Sequence, residues 1–550
     1  MYQFVLINVF YRTNERKHHP PIKIEEKNAM NVPHILFSTS ALAPAAFMLT
    51  AALLTRVDRF STARLWRIFQ VTSGGALALT IILVCAGPTG ALWPSVLQTS
   101  TFGLILALLV QFLATIIGSF SSRYLQGETG QKSYVAALAT VVAGVHLLLM
   151  ADHWLILIVA WAVVGVALQH LLCFYPDRAF AQLAAHKKRI ADRLADGLLL
   201  IAAVLAWVEV GSGSLSALWA HIAREGTSTS LQLSALALVL AVVLRTALLP
   251  VHGWLIQVME APTPVSALLH AGVVNLGGFV LIRFAPLLEQ AAPARALLLA
   301  FGLSTAVLAG MVMLTRISIK VRLAWSTVAQ MGFMLLECAL GLYTLAALHL
   351  IGHSLYKAHA FLSSSTVVRR TRLQALHQSS MPTPFSLVAA PALTISVVLL
   401  MSLLSGHAAW PWWWCVVLGL AWAPLLWLRA VAGSLPAHFG QALFGLLIVI
   451  GLTAGTMVAH ALPLGIQDNP HRNLGLIALS GMVALYFWLA LLQLRPRLFF
   501  TWRRWSYAGF YLDEAYTRMA LQFSSSRWMV ESRNSTGRQA VTASLADVPR

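Results

Sequence analysis

Apolar runs of about 20 residues, separated by short polar loops, recur along almost the whole chain. Each run is long enough to cross a hydrocarbon core as a helix, the element that satisfies its own backbone polar groups where there is no water. The pattern predicts about 15 spans, centred near residues 45, 77, 111, 141, 164, 202, 241, 274, 303, 331, 355, 394, 421, 449 and 483. The basic residues test that count. Arg56, Arg59 and Arg64 follow the first span, Arg123 and Lys132 the third, and Arg178, Lys187 and Lys188 the fifth. Arg316 and Lys320 follow the ninth, Arg369, Arg370 and Arg372 the eleventh, and Arg495, Arg497, Arg503 and Arg504 the fifteenth. Loops after even spans carry few, which puts the N-terminus outside and the C-terminal tail in the cytoplasm.

The two ends break the pattern. MYQFVLINVF is too short to span, and residues 1–33 lack the apolar region and small-residue cleavage site of a signal peptide. We expect an ill-ordered extension there, with the natural start at Met30. Residues 506–550 read as a polar tail with an aromatic–acidic patch from Tyr507 to Tyr516, disordered beyond about Ser524.

Composition agrees with a lipid solvent. Of the 550 residues 58% are hydrophobic and 10% charged, with mean hydropathy +0.75, against about 25% charged in a soluble domain. A net charge of +19 could suggest nucleic acid, but the cations sit in loops between apolar runs, so no nucleic-acid partner is expected. Cys85, Cys173, Cys338 and Cys415 lie far apart with no C-x-x-C spacing, which argues against an iron–sulfur or structural zinc site. They read as small core residues, and neither a cofactor nor a metal is expected in this chain.

Ionisable groups inside a bilayer are expensive, so each is a functional candidate. The richest run spans Leu244 to Arg283. Pro250 in mid-span removes a backbone donor and breaks the helix, with Arg245 one turn before it and His252 just after. A kinked helix with a satisfied arginine is the plainer alternative. The second cluster is His349, His353 and Lys357, whose spacing of four puts them on one helical face as a candidate proton relay. An i,i+4 histidine pair could instead bind a metal, but no carboxylate or thiol lies nearby in sequence. Lys320 enters the start of another span, where snorkelling explains it about as well as function does.

Three motifs carry a resemblance. They are Ala261-Pro-Thr-Pro-Val-Ser-Ala-Leu-Leu-His270, Ile319-Lys-Val-Arg-Leu-Ala-Trp-Ser-Thr-Val-Ala-Gln-Met-Gly-Phe333, and His349-x3-His353-x3-Lys357. From about residue 100 to 375 the chain resembles the large antiporter-like subunits of respiratory complex I and of Mrp-type cation/proton antiporters. The resemblance implies an all-α polytopic fold with two inverted five-helix repeats, each with a broken helix, and protons moving along a central line of Lys, His and Glu. Carried over, residues 34–131 are peripheral transmembrane helices, 132–284 and 292–432 the two repeats, 433–500 the C-terminal helices and 501–550 the cytoplasmic tail.

The departures narrow the function. The family's Glu after a Trp on the fifth span is Ala162 here, and its mid-membrane Lys is Arg245, a fixed charge that releases no proton. The family's Arg and Asp on the sixth span are present as Arg193 and Asp196. Its Lys in the second broken helix is missing near Ser405-Gly406-His407, leaving His407 as the titratable candidate. Together with His252, His270 and Lys320, these residues complete the expected path. Length, core and the Asp513–Glu514 patch resemble the DabB family, membrane subunits of two-component inorganic-carbon accumulation complexes. That resemblance implies a DabA-like partner on the cytoplasmic side of the inner membrane that carries the zinc and resembles a β-type carbonic anhydrase. A pump subunit of an NADH-quinone oxidoreductase, a cation/proton antiporter and a non-transporting scaffold are the alternatives. No nucleotide loop or Ser/His/Asp set marks an enzyme. The expected docking surface is basic loops 176–192 and 369–378 with tail residues Trp502, Tyr507, Tyr511, Asp513, Glu514 and Tyr516.

Overall fold

The computed structural model describes residues 39–364, 382–406, 410–428, 435–495 and 500–522. The chain begins with α1 (Ala43–Leu54), α2 (Thr62–Ala86), a small hairpin of β1 (Ala91–Trp93) and β2 (Leu97–Gln98), α3 (Thr101–Tyr124), α4 (Gln131–Met150) and α5 (Trp154–Leu172). Next come α6 (Ala179–Val210), α7 (Leu215–Glu225), α8 (Thr229–Arg245), α9 (Gly253–Gln257), α10 (Thr263–Ala271), α11 (Leu276–Arg283) and α12 (Ala285–Gln290). Then follow α13 (Ala292–Leu314), α14 (Ile319–Ala339), α15 (Tyr343–Leu362), α16 (Pro384–Leu404), α17 (Trp412–Trp422), α18 (Leu435–His460) and α19 (Arg472–Leu494). Two short helices, α20 (Phe500–Tyr507) and α21 (Leu512–Gln522), end the described chain.

Every expected span centre falls in one of these helices or in the 3-10 turn Val273–Asn275 that joins α10 to α11. Among the described residues, nine helical segments are long and apolar enough to cross a membrane, with three shorter apolar helices beside them. The remaining expected spans are α6, α14 and α15, whose apolar runs are interrupted by charged or polar side chains. Those side chains make up most of the candidate site.

Burial separates centre from periphery. In the segment Thr263–Arg283, 89% of the residues in the most apolar stretch are buried, against 17% in each of His438–His460 and Arg472–Leu494. Phe439, Phe444, Leu447 and Phe487 on the last two spans point outward. An apolar surface this continuous is a liability in water and the expected face toward acyl chains. Helix starts follow local rules: Ser61 and Ser100 accept from the Arg64 and Gly103 N–H groups at the heads of α2 and α3.

The structure corrects one expectation. Residues 179–192 of the expected basic loop 176–192 are the first half of α6, because Ala-Phe-Ala-Gln-Leu-Ala-Ala-His-Lys-Lys-Arg-Ile-Ala-Asp is rich in helix formers and free of Gly and Pro. Lys187 and Lys188 are buried there. The start of the tail is ordered: α21 packs onto α6, where Asp513, Tyr516 and Ala520 have partners. The N-terminal extension, loop 369–378 and the tail beyond Gln522 lie outside the described residues.

The helix break occurs where the proline requires it. α8 ends at Arg245, Ala247 takes a left-handed conformation (φ 55°), and helix resumes at Gly253. The Leu249 N–H is taken up by Thr305 Oγ1 of α13 at 3.3 Å, and Pro250 has no N–H to satisfy. A second irregularity follows α10: Gly272 and Val273–Asn275 leave the α-helix, and Asn275 Nδ2 donates to the freed Ala271 carbonyl at 3.0 Å. In the second half α16 ends at Leu404 and α17 begins at Trp412, and His407 between them lies outside the described residues.

Candidate functional site

Two clusters of buried charge stand in the helical core. The first surrounds the break after α8. Arg245 donates through Nη1 to the Trp161 carbonyl at 2.9 Å and through Nη2 to Asp196 Oδ1 on α6. Its guanidinium also lies 4.8 Å from the centre of the Trp161 ring. The arginine is therefore clamped beside Ala162, on the helix where the antiporter-like pattern has a glutamate.

Four residues before Asp192 and eight before Asp196, Lys188 extends the same face of α6 and donates to Asp192 Oδ2. Gly165 of α5 leaves room for this group: a Cβ there would stand 3.0 Å from Asp192 Oδ2 and 3.6 Å from Arg245 Nη1. Arg193, expected in the path, is exposed and off that face. The acid beside it, Asp192, takes part instead, because positions 188, 192 and 196 lie at one-turn intervals on the side that faces Arg245. Lys188 and Asp192 escaped sequence reading because two lysines before an apolar run look like topogenic loop charges. Their spacing of four was a usable signal.

The second cluster is the stripe on α15. Lys357 is buried and donates to the Leu323 carbonyl of α14 at 2.9 Å and to Ser326 Oγ. One turn on, His353 is buried with neither ring nitrogen hydrogen-bonded to protein. A further turn on, the His349 ring lies 6.2 Å from that of His353, and its Nδ1 is 2.9 Å from Glu337 Oε2 on α14. Glu337 is the carboxylate that sequence reading missed. It lies on the preceding helix, and its one signal was being the sole acid between Glu289 and Asp468. Among the described residues no group of three or more His, Cys, Asp or Glu side chains is placed to hold a metal.

The remaining path residues fall around this stripe. His270, at the end of α10, is buried with both ring nitrogens unpartnered and stacks on Phe361 of α15 with centroids 4.6 Å apart. Asn275 Nδ2 donates to Ser354 Oγ at 2.8 Å, joining the second irregularity to the same helix. Lys320 is half-buried and donates to Thr263 Oγ1 at 2.9 Å, one turn of α14 before the Leu323 carbonyl that holds Lys357. It is held, not snorkelling freely. His252 belongs with the first cluster: it is buried in the break, its ring 4.8 Å from Trp325, with Nε2 unpartnered.

Of the tail residues expected to meet a partner, Asp513 and Tyr516 are engaged within the chain. Asp513 pairs with Lys187, and the Tyr516 hydroxyl donates to the Lys187 carbonyl at 2.6 Å. Trp502 packs edge-on against Trp488 and Phe510. Tyr507, Tyr511 and Glu514 remain exposed.

A bundle of membrane-crossing helices, a proline-broken helix and buried Lys, His, Glu and Asp in two clusters define a multi-pass membrane protein of the antiporter-like class. Residues 151–411 match the family described as NADH:quinone oxidoreductase/Mrp antiporter, transmembrane. The chain is 38% identical over 440 residues to the "Probable inorganic carbon transporter subunit DabB" of Hydrogenovibrio crunogenus, covering 78% of this chain and 83% of that one. It belongs to the DabB family. A DabB2 protein of Halothiobacillus neapolitanus is 46% identical over 277 residues, half of each chain, and chain 5 of the Metridium senile NADH-ubiquinone oxidoreductase is 32% identical over 50% of this chain and 45% of its own. A chain of the Mrp complex from a Dietzia species shares the fold, with TM-score 0.53 and 19% identity over 94% of this chain and 61% of that one.

Proposed function

We propose that this chain is the membrane subunit of an energy-coupled inorganic-carbon uptake complex, conducting protons or another cation, with protons favoured by the residues below, to drive CO2 hydration by a zinc-bearing partner of carbonic-anhydrase type. The observation that carries the reading is the α15 stripe in a DabB family member. Lys357, His353 and His349 share one inward face, the first two buried and His349 half-buried, and Glu337 closes its far end. Each can take or give a proton, and they follow one another at one-turn intervals. The unpartnered nitrogens of His270 and His353 support it further, since buried polar atoms without a protein partner call for water or a passing proton. In this reading the carbon chemistry belongs to the partner with its zinc.

The path residues keep separate roles in this reading. Lys320 and His270 flank Lys357, while Arg245 with Asp196 is a fixed ion pair that shapes the field without moving protons. The inner membrane, an outside N-terminus and a cytoplasmic C-terminus follow from the basic residues after odd-numbered spans. A cytoplasmic partner would meet the exposed side of the tail, where Trp505, Tyr507 and Tyr511 stand among Arg503 and Arg504.

The test is genetic. Co-expressed with its partner in a host lacking carbonic anhydrase, the chain should restore growth in ordinary air. No growth, where a known carbon pump restores it, would defeat the proposal.

A further inference from the structure

The C-terminal segment reaches back across the chain to the mouth of the broken helix. Lys187 on α6 is fully buried, and its ammonium donates to two groups of α21: Asp513 Oδ1, and Thr517 Oγ1 at 2.8 Å. The Tyr516 ring lies 5.3 Å from the same nitrogen. The other carboxylate oxygen of Asp513 accepts from Gln257 Nε2 at 3.2 Å, at the end of α9. One carboxylate thus joins α6, α9 and α21.

The fit depends on a missing side chain. Gly253 is the first residue of helix after the break, and a Cβ there would stand 1.4 Å from Asp513 Oδ1 and 2.7 Å from Lys187 Nζ. No rotamer change of a neighbour relieves an overlap that deep while the carboxylate stays. The glycine therefore opens the notch that the tail's acid fills.

Inward from this notch the charges continue. His252 immediately precedes Gly253, is buried, and leaves Nε2 unpartnered. Lys188, next to Lys187 in sequence, sits 5.5 Å from the Trp254 ring and pairs with Asp192 in the Arg245 cluster. Lys187 is sealed off, whereas the Asp513 side chain keeps 30% of its surface in contact with solvent. Asp513 is the exposed member of this pair, at the tail end of a row that runs on to Asp192, whose side chain is 17% exposed.

We propose that Asp513 is the entry residue of the first-half proton path, set in place by docking of the C-terminal segment into the Gly253 notch. A proton leaves water for the Asp513 carboxylate and passes, beside Lys187, to the free Nε2 of His252 and on toward the Lys188–Asp192 pair. The inference rests on the reading that this chain conducts protons.

The test uses the whole two-component complex in vesicles with a pH-sensitive dye inside. Asp513→Asn keeps the shape and the acceptor oxygen for Lys187 but cannot carry a proton, and should cut proton flux roughly a hundredfold. Docking is read separately by a short bis-maleimide cross-link between His186→Cys and Ala520→Cys, positions whose ring Nε2 and carbonyl oxygen lie 3.1 Å apart. The cross-link should form as well in the Asp513→Asn variant as in the chain that keeps Asp513. Gly253→Ala should weaken the cross-link and the flux together. Flux at the wild-type level in Asp513→Asn overturns the proposal, and so does a flux loss matched by loss of the cross-link, which marks an anchoring role alone. Wild-type vesicles that conduct protons, from a chain that fails to restore growth in air, would defeat the carbon-uptake reading and leave this one standing.

Discussion

The two charge clusters use the same residue types to opposite ends. Around the first break each buried cation faces a carboxylate: Arg245 with Asp196, Lys188 with Asp192, Lys187 with Asp513. Along α15 the buried cation Lys357 has only a carbonyl and a hydroxyl, and His353 has no protein partner. A paired buried charge is held in place, because removing either partner strands the other in low dielectric; Asp513 keeps 30% of its side chain exposed and so can still exchange a proton with water. An unpaired group is free to change its protonation. On the proposed reading the first region fixes a field and admits protons at its edge, and the second region moves them.

That contrast can be broken experimentally. Lys357→Ala should show the largest effect: inorganic-carbon uptake at the empty-vector level, with the complex still assembled in pull-down. Uptake near wild type would end the relay assignment. Next comes Arg245→Ala, which strands Asp196 and should cost about 3–5 kcal/mol, seen as lower membrane yield and a lower melting temperature in detergent. Arg245→Lys keeps the fixed charge and should retain much of both stability and uptake. If Arg245→Lys behaved like Arg245→Ala, the bidentate clamp on Trp161 and Asp196 would matter more than the charge. Glu337→Gln keeps a hydrogen-bond acceptor for His349 but removes the charge, and should slow uptake by about tenfold, in line with roughly 1.5 kcal/mol for a charged hydrogen bond. The smallest effect is expected for Gly165→Ala, whose methyl presses on Asp192 and should cost about 1 kcal/mol of stability with little change in uptake.

The fold was largely legible because membrane helices announce themselves one at a time. An apolar run fixes its own helix, and Pro250 fixed the break, without knowledge of neighbours. The α15 stripe was legible for the same reason, since a spacing of four within one helix needs no tertiary information. Glu337 was not, because its link to His349 is made between two helices. Lys187 and Lys188 failed differently: a rule that reads lysines as loop markers cannot see one that is buried against an acid. Asp513 compounds that failure, since its partner lies 326 residues away in sequence.

The turn between α14 and α15 has a further consequence for how this sequence can drift. The Asn469 N–H donates to the Gly341 carbonyl at 2.9 Å and the His471 N–H to Leu340 O at 2.9 Å, so main chain is laced to main chain. A Cβ on Gly341 would stand 2.0 Å from the Asn469 carbonyl oxygen. Such a seam is indifferent to most side-chain identities and intolerant of a changed residue count. Natural variants should therefore substitute freely across the outward faces of α18 and α19 while keeping the length of the connection from 461 to 471, and an inserted residue there should do more harm than several substitutions.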